Sequence, residues 1–417
     1  MTLAASPTPD VADVPAILAR RSLRTAFQPV VDLRSGAVVA HEALLRGPAG
    51  TALESPVALI SAARAIGRSA ELDVVALRTH LRRGAAEHGE TGGILFVNLE
   101  PSTLALALDD VVAALGERPV ALRVVVEFTE RALAREPAAI TAAAERLREV
   151  GCAIALDDVG AEPASLAFMP LLRPEVVKLD LSLLRTVDDV ATITVAHAVR
   201  AYAEASGAEV VAEGVETPDD RTRAVVLGAT LGQGWLWGRP EPAPRAVHGR
   251  LDRVRVTAAR TDLARLTPFD LLAPGETQAV PKTLLLSVTR GLELAAVQSR
   301  VPPVLLSCFQ DAANVGRPTA RRYARLAERL PLVGMFGVGV ATDPAPGVRG
   351  AHLADDDELR HEWTVVVLGA HEAIALVARE RPRPPSESDD RWFDFAVTHD
   401  RARVTDAALR LMARLGA

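Results

Sequence analysis

A (β/α)₈ barrel followed by a smaller α/β unit is the fold class that this 417-residue chain predicts. Three observations carry it. Eight short runs rich in Val, Ile, Leu and Phe alternate with longer Ala/Leu/Arg/Glu segments of helical period between about residues 22 and 240. Most of these runs are continuously apolar, as strands buried on both faces are. After Pro240 the texture turns Pro- and Arg-rich, and a second rhythm of strands and helices starts near residue 283. A doubly wound open sheet is the alternative arrangement of the same alternation.

Residues 1–21 read as a polar, proline-containing lead into a short helix. The strand candidates follow in order: TAFQP, AVVAHEALLRG, GILFVNL, LRVVVEFTE, CAIALDD, EVVKLDL, AEVVAEGVE and TLGQGWLWG. Between them, residues 136–150 open with Pro137 and stop at Gly151, and residues 189–206 stop at Gly207. Thr217-Pro218-Asp219-Asp220 reads as an N-cap, a first-position proline and two acids at the positive end of a helix. The barrel is expected over residues 22–250, a helical linker with loops over 251–281, and the second unit over 282–417. That unit contains an amphipathic helix near 318–330, strands at LVGMFGVGV and WTVVVLGA, an exposed Pro-rich loop at 381–390 and a helix from 402.

Composition excludes several classes. Apolar residues make up 49% and net charge is −6 with no basic stripe, so neither disorder nor duplex DNA binding is suggested. No apolar run approaches the ~20 residues of a membrane span. The opening MTLAASPTPDVADVP lacks the basic start and apolar stretch of a secretory signal, and a cytoplasmic protein is expected. Cys152 and Cys308 lie in apolar runs and read as small buried hydrophobes. Of 47 basic residues only Lys178 and Lys282 are lysine, and asparagine occurs only at Asn98 and Asn314. Against such a bias, a surviving Lys or Asn marks a place where no substitute serves, because a compact ammonium and a planar guanidinium are not interchangeable.

In a parallel barrel the working residues sit at the C-terminal ends of the strands. Those ends hold Gln28, Glu42, Asn98, Glu127, Asp157 with Asp158, Lys178, Glu213 and Gln233. Five are carboxylates, which in one mouth would repel each other unless divalent cations intervene. An oxygen-only donor set favours Mg²⁺ or Mn²⁺ over zinc. Adjacent Asp157 and Asp158 suit a two-metal site for phosphoryl displacement, with Lys178 as a positive charge near the attacking water.

These residues also carry a family likeness. HEALLRG (41–47), FQPVV (27–31), FVNLEP (96–101), VEFTE (126–130), LDDVG (156–160), VKLDLS (177–182), VAEGVET (211–217) and GQGWLWGRP (232–240) resemble, in order, the EAL-domain cyclic di-GMP phosphodiesterases. The resemblance implies hydrolysis of cyclic di-GMP to pGpG with Mg²⁺ or Mn²⁺. It implies that Glu42, Asn98, Glu127 and Asp157 hold one metal, and that bridging Asp157, Asp158 and Glu213 hold the second. Lys178 would contact the attacking water and Arg46 a substrate phosphate. Gln28, Leu44, Gln233 and Pro240 would line the base and ribose contacts. Glu130 would pin the loop after Asp158, and Glu216 would support the end of its own strand. Homodimerisation is a further family expectation.

The chain departs from the family in the loop DDVGAEPASL (157–166), where Glu162 and Pro163 replace a glycine and an aromatic, and Pro163 fixes its own φ. A catalytically weak or inactive cyclic di-GMP receptor is therefore the alternative reading, and hydrolysis of another phosphoester a third. SCFQDAANVGRPTARRYARLAERLPLVGMFGVGV (307–340) resembles the DICT sensory domain, whose implied ligand or protein partner is unknown. Phe309, Arg321, Arg322, Tyr323, Phe336 and Trp363 are candidates to line a pocket there.

Overall fold

A computed structural model of the chain describes residues 13–88, 93–129, 133, 136–160, 163–186, 189–249, 251, 254–260, 263, 265–382 and 391–415. Eight strands close a barrel in sequence order: β1 (Arg24–Asp32), β2 (Val38–Arg46), β3 (Gly93–Asn98), β4 (Leu122–Thr129), β5 (Ala153–Val159), β6 (Val176–Leu179), β7 (Glu209–Ala212) and β8 (Leu231–Gln233). All eight lie on the apolar runs read from the sequence. The helices follow their punctuation too. The helix Pro137–Glu149 has proline in its first turn, the helix Val190–Ser206 ends on Gly207 at φ 78°, and Thr217 and Asp220 form a capping box on the helix Pro218–Val226.

The barrel is not wholly parallel. β1 runs antiparallel to both β2 and β8, while β2 through β8 pair in parallel. The cause is local. Asp32 Oδ1 accepts from the amides of Arg34 and Ser35, and Gly36 takes φ 72°, so β1 and β2 close as a hairpin with no room for a crossover helix.

The second sheet has seven strands in the order β12-β11-β10-β13-β14-β15-β9. They are β9 (Gln278–Pro281), β10 (Val304–Asp311), β11 (Val333–Val338), β12 (Arg349–His352), β13 (Glu362–Leu368), β14 (Ala373–Glu380) and β15 (Trp392–Thr398). Helices Lys282–Gln298, Arg317–Ala327 and Arg401–Met412 accompany it. The helical linker expected over 251–281 is not found: among its described residues only the 3₁₀ turn Pro268–Leu271 is helical, and Gln278–Pro281 is a strand paired with β15. Most of the loop expected at 381–390 lies outside the described residues. The proposed aromatic pocket is also corrected. Tyr323 and Phe336 are fully buried, and the Tyr323 hydroxyl donates to Ser307 Oγ at 2.8 Å, so both belong to the core.

Inside the barrel, Val30, Ala40, Phe96, Val125, Ala155, Val176, Val211 and Leu231 form one apolar layer, joined by Leu251 and Val254 from the segment after β8. His80 packs in the barrel wall with Nδ1 2.8 Å from Thr25 Oγ1, and burial lowers its pKa to about 4. The folded state therefore holds His80 neutral where an unfolded chain would protonate it. Its contribution to stability is complete above about pH 6.5 and is lost as pH falls toward 4, a swing on the order of 3 kcal/mol. We predict that unfolding temperature falls steeply over that window and that His80→Gln flattens this part of the profile. An identical slope in the variant would assign the acid lability elsewhere.

Candidate functional site

A strand's side chains alternate between faces, so the residue two positions beyond an inward apolar residue also points inward. Applied to the apolar layer, this step reaches the site. Beyond Ala40, Phe96, Val125, Ala155, Val176, Val211 and Leu231 come Glu42, Asn98, Glu127, Asp157, Lys178, Glu213 and Gln233. On the reversed β1, Gln28 takes the equivalent place beyond Val30, in register opposite Glu42. The sequence reading placed these groups at strand ends. Asn98 and Gln233 do end their strands and Glu213 follows β7, but Glu42 sits in the middle of β2. Inward register, rather than the strand end, gathers them.

Lys178 occupies the centre and is 1% exposed. Its Nζ lies 2.6 Å from Glu213 Oε1, 2.7 Å from Glu127 Oε1, 3.3 Å from Asp157 Oδ1 and 3.8 Å from Glu42 Oε2. Burial alone would lower the lysine pKa; Glu127, Glu213, Glu42 and Asp157 outweigh it and hold the ammonium well above its ordinary value. Glu42 and Glu127 share that ammonium yet move in opposite directions. Burial works to raise Glu42, but Lys178 and the amides of Gln233 at 2.6 Å and Asn98 at 2.7 Å hold it below the usual range. Among the described residues Glu127 has no such amide and its Oε2 has no donor, and burial and then Glu42 push it well above the usual range. Glu213 is raised to about 8, chiefly by burial.

Consecutive strand residues face opposite sides, so Asp157 and Asp158 cannot both enter a regular mouth. Asp158 adopts φ 59° and the β5–β6 register shifts between Leu156 and Val159. This local break lets Asp157, Asp158 and Glu213 bring one carboxylate oxygen each within 4.8 Å of one another. Glu42, Leu44 and Arg46 share one face of β2, with Arg46 furthest from the apolar layer and its Nη1 on the Leu45 carbonyl at 2.7 Å. Pro240 is half-buried past β8, and Gln28 donates to the Gly238 carbonyl at 3.3 Å. Glu216 is exposed, with its amide on Asp220. Glu130 and Glu162 lie outside the described residues.

Sequence reasoning missed Asp180. It stands two residues beyond Lys178, caps the helix Leu181–Arg185 through the Ser182 amide, and is among the charges that raise Asp158. Its signal was the same period-two step. Trp235 is also unassigned by the sequence reading: it is 54% exposed two residues past Gln233, with the Arg239 guanidinium 4.0 Å above its ring.

Lys178→Gln leaves four buried or half-buried carboxylates without their ammonium, a loss on the order of 3 kcal/mol. Since the carboxylates left behind favour the protonated form, that loss should be larger at pH 8 than at pH 5.5 in denaturant titrations without divalent cations. Equal losses at both pH values would contradict the arrangement.

Both units of the chain resemble known families. Residues 12–240 match the model of the EAL domain family, and residues 263–381 match that of the sensory domain in diguanylate cyclases and two-component systems. An uncharacterized protein of Mycobacterium tuberculosis is 30% identical over 239 residues, covering 54% of this chain and 38% of the relative. The cyclic di-GMP phosphodiesterase RocR of Pseudomonas aeruginosa is 31% identical over 242 residues, covering 56% of this chain and 61% of its own. A solved structure of PaMucR phosphodiesterase in a c-di-GMP complex is 29% identical, covers 55% of this chain and 96% of that one, and superposes with a TM-score of 0.49. The chain thus spans less than two thirds of the length of these two curated relatives.

Proposed function

The chain belongs to the EAL domain family, and from that membership we propose that its barrel, residues 22–250, hydrolyses cyclic di-GMP to linear pGpG with Mg²⁺ or Mn²⁺. The observation that carries the reading is the buried lysine among carboxylates in a layer of otherwise neutral amides. Residues 282–417 form the sensory unit that regulates the barrel, and a relative named as a cyclic di-GMP phosphodiesterase supports the substrate.

The donor set fits hard divalent cations. All the candidate ligands are oxygens, Glu127 Oε2 is buried with no donor, and three carboxylate oxygens converge within 4.8 Å. Glu42, Asn98, Glu127 and Asp157 would hold one ion; Asp157, Asp158 and Glu213 would hold the other. When bound, such ions neutralise phosphate charge and lower the pKa of water.

The chain's own residues do the rest. Water adds its oxygen to one phosphorus, the P–O3′ bond breaks, and a proton reaches the leaving 3′ oxygen, giving a linear product with a 5′ phosphate. Lys178 sits beside Glu213 and Glu127, where its charge orients the water and offsets negative charge that grows in the transition state. Glu213, 2.6 Å from the ammonium, holds Lys178 in place for that task. Arg46, at the outer end of the Glu42 face, holds a non-reacting phosphate. Gln28, Leu44, Gln233 and Pro240 line the base and ribose contacts.

Incubation of the full chain with cyclic di-GMP and Mg²⁺ or Mn²⁺, followed by nucleotide separation, tests this. We expect pGpG, abolished by chelator and by Glu42→Ala or Glu127→Ala. Lys178→Ala should lower kcat by about two to three powers of ten, as loss of transition-state charge stabilisation does. Tight nucleotide binding without product would replace the hydrolase with a receptor, the reading that the DDVGAEPASL loop favours. Among the loop's residues, Glu162→Gly with Pro163→Tyr should raise kcat if this segment slows turnover; an unchanged kcat clears it.

A further inference from the structure

We infer that a cavity between the base of the barrel and the second unit binds a small amphipathic organic anion, one with an apolar body and a carboxylate, phosphate or sulfonate group. The inference goes beyond the hydrolase reading and does not depend on it. The cavity has a volume of about 860 Å³, the size that encloses a drug-sized molecule. Glu175 immediately before β6 and Ala208 immediately before β7 line it. It therefore lies at the opposite ends of those strands from the mouth that holds Lys178 and Glu213. The segment 255–260, the β13–β14 turn and the start of the helix Arg401–Met412 close it from the other side.

Its lining joins two chemistries. Tyr202 and Ala205 contribute an apolar wall from the helix Val190–Ser206. Arg173, Arg255, Arg260 and Arg401 contribute four guanidinium groups. The carboxylates nearby do not satisfy them. Glu145 is shared between Arg173 at 2.6 Å and Arg148 at 3.1 Å, and Asp406 takes one nitrogen of Arg260 at 2.7 Å. Glu175 is already occupied by Arg148 and by the amides of Ile154 and Thr257. Arg401 donates to the uncharged Gly369 and Ala370 carbonyls, and the Glu372 carboxylate offsets only part of the effect of its burial. Arg255 is exposed and has no carboxylate partner among the described residues. Arg173 Nε and Arg260 Nη1 are buried with no acceptor among the described residues.

Orphaned buried donors next to uncompensated positive charge are costly unless an acceptor arrives. Burial lowers the pKa of Arg401, and burial with the nearby Arg173 lowers that of Arg260, which a bound anion would reverse. An inorganic anion alone would leave the apolar wall wet. A neutral apolar molecule would leave the guanidinium groups unpaired. A molecule with both parts meets both requirements, and by touching both units it couples them.

The test uses the full chain, without nucleotide or divalent cation, so its outcome is separate from that of the turnover assay. The probe is 1-anilinonaphthalene-8-sulfonate titrated by calorimetry, beside its sulfonate-free analogue N-phenyl-1-naphthylamine. We expect one saturable site. Ala205→Trp, which fills the cavity, and Arg255→Gln, which removes an exposed guanidinium, should each weaken binding about tenfold while the unfolding temperature holds. The sulfonate-free analogue should bind about tenfold more weakly than the anion. Sulfonate binding that neither variant alters, or equal binding of the neutral analogue, would overturn the assignment.

Discussion

Everything at the mouth of this barrel depends on one buried ammonium. Lys178 has carboxylate oxygens from Glu127, Glu213, Asp157 and Glu42 within 4.0 Å while being almost wholly removed from water. A lone lysine in such a place would give up its proton, and a lone cluster of carboxylates would take protons up. Together they hold the lysine charged, but one positive charge cannot balance several negative ones. The imbalance falls on Glu127 and Glu213, which are both displaced upward, whereas Lys178 and then two amide donors hold Glu42 down. An arginine could not replace the lysine. Its planar fork needs more room and a different donor geometry than the close approaches around Nζ allow. That constraint gives a physical meaning to the retention of lysine in a chain whose basic residues are otherwise almost all arginine.

The pleat of the barrel supplies the second constraint. An apolar layer forms the base, and the next inward layer is polar on every strand. A one-residue slip on any strand would turn its functional group outward, so packing of the apolar layer sets the register of the site. Asp158 is the exception that needs its own device, a left-handed backbone and a register shift, because no regular strand presents two consecutive carboxylates to one side.

Much of this was legible in the sequence because it rests on local signals. Apolar runs located all eight barrel strands, proline and glycine located helix ends, and polar residues within or beside those runs pointed to Glu42, Asn98, Glu127, Asp157, Lys178, Glu213 and Gln233, although inward register rather than strand end is what gathers them. What was not legible depends on non-local pairing. β1 carries no mark of its direction; that follows from the short turn at Asp32–Gly36. Gln278–Pro281 is too short and too exposed to show a strand period, and becomes one only because β15 offers an edge. Asp180 went unassigned because its place beside the lysine depends on the step past the end of β6, where it also caps the helix Leu181–Arg185. Tyr323 and Phe336 read as pocket aromatics because sequence shows residue type and not burial.

The arginines of the cavity were illegible for a related reason. In a chain with so many arginines, no single one stands out until the fold shows which carboxylates are already occupied. Glu175 makes the point. It accepts the Ile154 amide in β5 and precedes β6, so one side chain ties together the beginnings of the strands that carry Asp157 and Lys178. The same carboxylate accepts the Thr257 amide from the segment leading to the second unit. The barrel thus gathers charge at both of its ends. The mouth gathers negative charge around a lysine, and the base gathers positive charge around a buried glutamate. The short strands β5 and β6 are the shared structure on which both charge arrangements are mounted.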